Sequence, residues 1–425
     1  MTTTKKDIGL QLTMFVFTLF MGAGTTLFSS DSPFSNIPGF LIFMMLLIYM
    51  ARKIKHYTNH KQIITILLFV FIWLIYHWTR VGHYDFAFVM LELHIIAGYM
   101  MICLYKEKII DYYEDIAYKL ALIAIPLWII NNLIGSEMMT MFAPFDSSAL
   151  NNAHEESGSF LVYITGAWKQ EQFGELYRNQ GYCWEAGRFA SLTVLGLTFY
   201  IIKNSGVPKF LDRRMWVYII AILSTFSTTG YIAMLIVFSV SIIFAGKKNL
   251  FSRILIGGML IVAVVYLQNA DFIGEKITEQ LDSSSFKSEG ATYNAETGVI
   301  TVERFEGVYL DWLNFVDAPV MGYGLTDMWS YTQRNINKEL ITSNGITKPF
   351  AQYGFILALM YFIYFIRGSR RITAAHGNAP KLLLFVALIL ISFSYDFNKL
   401  PLILAIALYS IMQPYTENKN ERKSS

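Results

Sequence analysis

Runs of apolar residues long enough to cross a lipid bilayer recur along the whole chain. A helix needs about 20 apolar residues, within a range of about 17 to 25, to span the hydrocarbon core. Only 15% of the 425 residues are charged and 54% are hydrophobic, whereas soluble domains carry about 25% charged residues. We therefore expect one integral membrane domain over residues 1–425, with an all-α fold. The runs lie at 8–28, 37–50, 63–78, 86–105, 117–135, 186–202, 216–245, 254–268, 349–366, 381–395 and 400–414.

The positions of lysine and arginine predict how the spans are oriented, because cytoplasmic loops carry an excess of both. Lys5 and Lys6 precede the first run, and the loops at 51–62 and 203–214 are also basic. These segments are expected in the cytoplasm. The first run is longer than the apolar region of a signal peptide and is expected to stay in the membrane.

The run at 216–245 is about twice as long as most of the others and contains the turn-forming sequence Ser227-Thr228-Thr229-Gly230. Two short helices hinged there would return the chain to the cytoplasm, where Lys247 is expected. The alternative is one long tilted helix that tolerates the glycine. With the hinge, the count is about 12 spans with both termini cytoplasmic. Since irregular backbone at membrane depth occurs only in protein interiors or beside cavities, the break is a candidate site.

Two loops, 136–185 and 269–348, are much longer than the rest and are predicted to be periplasmic. Long loops are uncommon unless they are functional. In the second loop, Tyr309 and Trp312 share one helical face, and Asp311 lies on the opposite side. The pattern predicts a short amphipathic helix on the membrane surface. Residues 272–281 repeat the pattern more weakly.

Several classes of function are disfavoured. The net charge of +3 is too small to indicate nucleic-acid binding. Two cysteines do not provide a disulfide framework or a four-cysteine zinc site. P-loop, HExxH and CxxC sequences are absent from the chain. We expect no metal and no cofactor.

Arg178, Arg188 and Arg304 are predicted to lie at or near the outer membrane surface, where positive charge is disfavoured. Guanidinium groups bind phosphates through two hydrogen bonds and stay ionised, so they suit a pyrophosphate. Alternatively, each arginine anchors its helix or pairs with a glutamate. Glu185, within one helical turn of Arg188, is either a general base or the partner of that arginine.

The order of these residues resembles the O-antigen polymerase and ligase family of bacterial envelope glycan assembly. The resemblance covers about 178–366 by motif, and the whole chain by its spans and two large outside loops. The first two elements are an Arg-x-x-Gly segment that opens a span, matched by Arg178 to Gly181 with Glu185 and Gly187, and a Ser/Thr-rich break, matched by Ser227 to Gly230. The third is an arginine eight residues before an aromatic residue, followed by proline and Gly-x-Gly, matched by Arg304, Trp312, Pro319, Gly322 and Gly324. The last is a His-Asn pair before a Tyr-Gly pair, where this chain has Ser343-Asn344 and then Tyr353-Gly354.

The resemblance implies glycosyl transfer in the bacterial inner membrane, with an undecaprenyl-diphosphate-linked oligosaccharide as the donor. It implies catalytic roles for Arg178, Arg304 and Glu185. Its implied partners are membrane lipid, a flippase and a chain-length regulator, and not nucleic acid. It further implies substrate binding by Arg188, Gly181, Ser227, Thr228, Tyr309 and Asn344.

Two other functions stay open. The ligase branch of the family transfers finished glycan to a lipid A core or protein and carries a motif histidine where this chain has Ser343. This departure favours the polymerase branch. A lipid-oligosaccharide flippase would require matched broken helices in both halves of the chain. Glu92 and His94, in the fourth predicted span, would suit a transporter's proton relay, but residues two apart on a helix do not share a face.

Overall fold

The computed structural model describes residues 7–22, 37–54, 60–81, 86–135, 137–138, 141, 158–160, 162–165, 169–170, 176–244, 258, 292–294, 299–301, 304–338 and 340–412. This part of the chain is mostly helical. The helices are α1 (Ile8–Gly22), α2 (Ile37–Lys53), α3 (His60–Val81), α4 (Phe86–Tyr105), α5 (Ile109–Ile134), α6 (Ala186–Lys203), α7 (Arg213–Leu223), α8 (Thr228–Phe244), α9 (Arg304–Asp317), α10 (Tyr331–Asn335), α11 (Lys348–Ala374), α12 (Leu383–Ser392) and α13 (Pro401–Leu408). Short 3-10 helices lie at Lys106–Lys108, Asp327–Trp329 and Tyr409–Ile411.

Three helical segments of the described chain are long and apolar enough to cross a membrane: Lys61–Arg80, Val89–Ile134 and Lys348–Ala374. The second comprises α4 and α5, which are separated at Lys106–Lys108, where Lys106 has φ +50°. Shorter apolar helices are α1, α8, α12 and the stretch Pro401–Ile411. The predicted span at 254–268 and the weak pattern at 272–281 lie almost entirely outside the described residues.

The long run at 216–245 is broken, as the hinge hypothesis expects. Helix α7 ends at Leu223 and α8 begins at Thr228, so the break lies a few residues before the predicted glycine. Phe226 in the break has φ +49°, which a continuous helix excludes. The Phe210 and Phe238 rings lie 5.7 Å apart between centroids. Since Phe210 precedes α7 and Phe238 lies in the second half of α8, the chain has reversed direction.

Helix α6 lies at the centre of the bundle, and every residue in it except Arg188 and Lys203 is buried. Those two residues lie near its opposite ends. At the predicted cytoplasmic end, Glu114 of α5 is fully buried. Its carboxylate forms ion pairs with Lys203 Nζ at 2.6 Å and with Arg214 Nη1 at 2.9 Å. These bonds fix α5, α6 and α7 together. We call the opposite end, which is predicted to face the periplasm, the outer side.

The runs predicted as the last two spans form α12 and α13, of 10 and 8 residues. At 1.5 Å per residue, each is about half the bilayer core. The turn between them is not at the surface. Tyr361, near the middle of α11, donates its hydroxyl to Asn398 Oδ1 at 2.8 Å, so the turn lies within the bundle.

The two long loops contain short strands as well as helices. Antiparallel pairs join β1 (Gly158–Phe160) to β2 (Tyr163–Thr165), and β3 (Lys169–Gln170) to β4 (Leu176–Tyr177). In the second loop, β5 (Thr292–Asn294) pairs antiparallel with β6 (Val299–Thr301), and β6 pairs parallel with β7 (Leu340–Ile341). Pairs this short depend on the helices beside them for stability.

Candidate functional site

The Arg-x-x-Gly segment lies against the break between α7 and α8. Arg178 Nε donates to the Thr225 carbonyl at 2.9 Å. The backbone amide of Asn179 donates to the Ser224 carbonyl, and its side-chain amide donates to Ser224 Oγ, both at 2.9 Å. Two motifs that are more than 40 residues apart in the chain therefore form one unit. In this unit Arg178 satisfies a carbonyl of the broken helix.

Two residues predicted to bind substrate have clear local roles in this unit. Gly181 has φ +52°, and a Cβ there would lie 2.4 Å from the Phe189 ring. Ser227 Oγ accepts a hydrogen bond from the Gly230 amide at 3.3 Å and so caps the start of α8. Thr228 differs, because its hydroxyl is buried without a partner among the described residues. Thr228 therefore has an unused hydrogen-bonding group at the break.

Arg188 lies at the outer end of α6, and no carboxylate of a described residue lies within ion-pair distance of it. Its Nε donates to the Met21 carbonyl at 2.8 Å, and its guanidinium lies 5.2 Å from the centroid of the Phe397 ring. Within the described part of the chain its terminal nitrogens make no hydrogen bond or ion pair. The side chain is half-buried, and an accompanying anion stabilises a cation that is partly removed from water. The geometry therefore suits an anionic ligand.

Glu185 is half-buried at the start of the same helix. It forms no ion pair with Arg188, so the expectation that the two neutralise each other is not met within 4 Å among the described residues. A Cβ on Gly187 would lie 3.4 Å from Glu185 Oε1 and 2.3 Å from the Tyr395 hydroxyl. Because Gly187 has no side chain, the Glu185 carboxylate and the hydroxyl of Tyr395, in the turn between α12 and α13, can both lie close to this point of α6.

The Pro and Gly-x-Gly segment pairs with the Tyr-Gly segment of α11. The amides of Tyr323 and Gly324 donate to the carbonyls of Ala351 and Gln352 at 2.9 and 3.0 Å. Gly354, with φ +73°, interrupts α11 at the point of contact. On the other side of this segment, Trp73 Nε1 donates to the Met321 carbonyl at 2.8 Å. The last two motifs of the resemblance therefore also meet.

Asn344 and Gly345 join this second unit to the turn between α12 and α13. The Gly345 amide donates to the Ser392 carbonyl at 2.7 Å, and Asn398 Nδ2 donates to the Gly345 carbonyl. Asn344 is 1% exposed, and its Oδ1 accepts the amides of Ile346 and Thr347. Its Nδ2 has no partner among the described residues. Asn344 therefore retains a buried donor beside the turn.

The turn itself carries opposite charges. Asp396 Oδ2 lies 3.6 Å from Lys399 Nζ, and Asp396 Oδ1 accepts the side-chain amide of Asn398 at 2.9 Å. Phe397 from the same turn covers Arg188. The turn thus brings Arg188 and Glu185 close to the Asn344 segment.

A buried carboxylate fixes the segment that carries Asn344. Asp311 of α9 is 1% exposed and accepts the hydroxyls of Thr342 and Thr347, each at 2.6 Å. Burial raises the pKa of Asp311 from 3.8 to about 7, against the opposing effect of the two hydroxyls and Lys348. Lys348 Nζ donates to the Thr342 carbonyl at 2.7 Å and lies 3.3 Å from Asp327.

Helix α9 forms as predicted, and its two faces separate. Tyr309, Trp312 and Val316 are each at least half exposed, whereas Asp311 faces the protein. Arg304 is the first residue of α9, but its side chain lies outside the described residues, as do residues 302–303. The exposed apolar face fits a helix lying on a membrane surface.

The sequence did not predict that Asp327, Lys348 and Glu114 form ion pairs and hydrogen bonds. Lys348 gave one available signal, because a lysine heading an apolar span requires a partner. Glu92 and His94 do not pair in the described structure; His94 packs between the rings of Phe20 and Phe43 at 5.4 and 5.5 Å. Among the described residues, no group of three or more His, Cys, Asp or Glu side chains is placed to hold a metal ion.

Comparison with protein-family models, with curated proteins and with solved structures finds no match to this chain.

Proposed function

We propose that the protein is a membrane glycosyltransferase that polymerises lipid-linked oligosaccharide repeat units on the periplasmic face of the bacterial inner membrane. The observation that carries the proposal is Arg188: a guanidinium held by Met21 and Phe397, with its terminal nitrogens unpaired among the described residues. A diphosphate attached to a lipid would provide an anion for this guanidinium at the membrane edge. Arginine also suits phosphate through its paired N–H groups.

The meeting of the four motifs supports the same proposal. Arg178 lies on the α7–α8 break, and Gly322 lies on the Gly354 break. The Asn344 segment and the turn at Phe397 connect the second unit to Arg188. Two irregular backbone segments within a bundle indicate a site, because membrane proteins tolerate such segments only in their interior or beside a cavity.

The chemistry assigned to this site needs neither metal nor nucleotide. The acceptor hydroxyl attacks the anomeric carbon of the donor sugar, the carbon–oxygen bond to the diphosphate breaks, and the hydroxyl proton passes to Glu185. Arg188, Arg178 and Arg304 neutralise charge on the departing diphosphate. Most of the rate acceleration then comes from holding both lipid-anchored substrates in register. Glu185 makes no hydrogen bond or ion pair with a described residue, which supports its role as the base.

The exposed face of α9 supports a membrane location for the reaction. Tyr309, Trp312 and Val316 present about half or more of their surface to the surroundings. Aromatic residues favour the membrane–water interface. Placed there, α9 carries Arg304 at headgroup level, where the donor diphosphate lies.

The test supplies purified protein with an undecaprenyl-diphosphate-linked repeat unit and separates the products by length. A ladder is the expected result, and Arg178→Ala, Arg188→Ala and Arg304→Ala should each abolish it while the protein stays in the membrane. Arg213→Gln, at an exposed position on the opposite end of the bundle, is the control. Transfer to a separate acceptor lipid without a ladder would favour the ligase instead. Transport without transfer would favour a flippase.

A further inference from the structure

A cavity of about 140 Å³ opens on the outer side, and Arg188 is not among the described residues that line it. Arg80, Tyr323, Trp329 and Arg334 line it. Arg80 comes from the end of α3, and the other three residues come from the second loop. The cavity therefore lies between a span and the segment that pairs with the break in α11.

The charge of the cavity is positive. Arg334 is ion-paired with Asp317, so its charge is largely balanced. Arg80 is exposed and makes no hydrogen bond or ion pair with any described residue. Among the residues that the structure describes, no acidic side chain lines the cavity. The surplus of one guanidinium favours an anion with a single charge.

Hydrogen bonds and an ion pair fix part of the cavity wall. The Tyr323 hydroxyl donates to Asp327 at 2.6 Å, and Asp327 in turn pairs with Lys348. Tyr323 is 2% exposed. Trp329 closes the one-turn helix Asp327–Trp329, and Ser330 caps the helix that follows it. The Tyr323 ring is thus held in place before any ligand arrives, which lowers the entropic cost of binding.

The size of the cavity restricts the ligand. A water molecule occupies about 10–15 Å³ of such a cavity, so the volume accommodates a group of roughly ten heavy atoms. That is the size of one sugar ring, and it is smaller than the pockets of about 300–1,000 Å³ that enclose whole ligands. Aromatic rings match the apolar faces of a sugar ring, whereas a phosphate group has no such face.

We propose that this cavity binds one acidic sugar residue of the glycan, with its carboxylate on Arg80 and its ring against Trp329. The inference rests on the proposed function for the presence of a glycan, and it names the substrate class: repeat units that contain a uronic acid. The cavity lies beside the paired segments at Gly322 and Gly354, and so holds the sugar chain while the diphosphate end occupies the Arg188 site.

The test measures binding of glucuronate, glucose and inorganic pyrophosphate to the full-length protein in lipid nanodiscs, by ligand-observed NMR. We expect glucuronate to bind, glucose to bind at least tenfold more weakly, and pyrophosphate not to displace glucuronate. Arg80→Gln should weaken glucuronate binding at least tenfold, and Arg80→Lys should retain most of it. Arg52→Gln, at an exposed arginine on the opposite end of the bundle, should have no effect.

Unchanged glucuronate binding in Arg80→Gln would overturn the inference. Displacement of glucuronate by pyrophosphate, with both lost in Arg80→Gln, would also overturn it and assign the cavity to a lipid phosphate. These readouts do not require turnover. A failure of the polymerisation assay with binding intact would therefore count against the proposed function and not against the cavity.

Discussion

Gly322 and Gly354 lie against each other's backbone so closely that neither position has room for a side chain. A Cβ on Gly322 would lie 2.1 Å from the Gln352 carbonyl oxygen, and one on Gly354 would lie 2.2 Å from the Val320 carbonyl oxygen. Both residues have positive φ, +71° and +73°. This contact fixes the second loop onto the break in α11.

Gly354→Ala should therefore prevent correct assembly of the outer side. The change adds a backbone clash to a strained φ, and the strain alone costs about 1–3 kcal/mol. Thermal unfolding of the purified protein should show a large loss of stability. Gly135→Ala is the matched control, because Gly135 also has positive φ, +55°, but has open space around it. Similar losses in the two variants would mean that the contact is unimportant.

Asp311 should make stability depend on pH. Burial raises its pKa to about 7 in the folded protein, from 3.8, so the folded state binds the proton more tightly than the unfolded state does. The stability from Asp311 is then greatest at low pH and falls as pH rises between these two values, by at most about 1.4 kcal/mol per pH unit. It is constant above about pH 7.

This dependence is measured as the difference in unfolding free energy between the wild type and Asp311→Asn from pH 5 to pH 8. We expect the wild type to lose stability relative to the variant as pH rises. A constant difference would show that Asp311 is ionised throughout.

Glu114→Gln should destabilise the bundle strongly. It leaves Lys203 and Arg214 without the buried carboxylate that both contact, and removal of one partner of a buried pair costs about 3–5 kcal/mol. The comparison is Asp7→Asn, whose pair with Lys53 is exposed on both sides and should therefore contribute little to stability. Equal thermal shifts in the two variants would refute the structural role of Glu114.

The reversal at the break between α7 and α8 predicts which side of the membrane each loop faces. In a background lacking Cys103 and Cys183, cysteines introduced as Lys209→Cys and Lys247→Cys should react with an impermeant thiol reagent only from the cytoplasm. Met328→Cys, which is 58% exposed in the second loop, should react only from outside. Labelling of Lys247→Cys from outside would instead support one long span over residues 216–245.

The sequence was sufficient for features that depend on local pattern. The excess length of the run at 216–245 and its turn residues predicted the break, and helical spacing predicted α9. Spacing also separated Asp311 from Trp312. It could not tell which face of α9 would be covered by protein, because that depends on contacts with Thr342 and Thr347 some 30 residues away.

The pairing of motifs could not be predicted from the sequence for the same reason. Nothing local to Arg178 indicates that it bonds the Thr225 carbonyl, and nothing local to Phe397 indicates that it covers Arg188. The place of the polar turn between α12 and α13 inside the bundle likewise follows from the bond between Tyr361 and Asn398, which only the fold brings together.

The central claim is that Arg188 binds the diphosphate of a lipid-linked substrate. The most direct measurement is the affinity of full-length protein in nanodiscs for farnesyl diphosphate, compared between the wild type, Arg188→Gln and Arg213→Gln. A charge-assisted hydrogen bond contributes about 1.5–3 kcal/mol, so we predict that Arg188→Gln weakens binding at least tenfold while Arg213→Gln binds like the wild type. Equal affinity in all three proteins would contradict the claim.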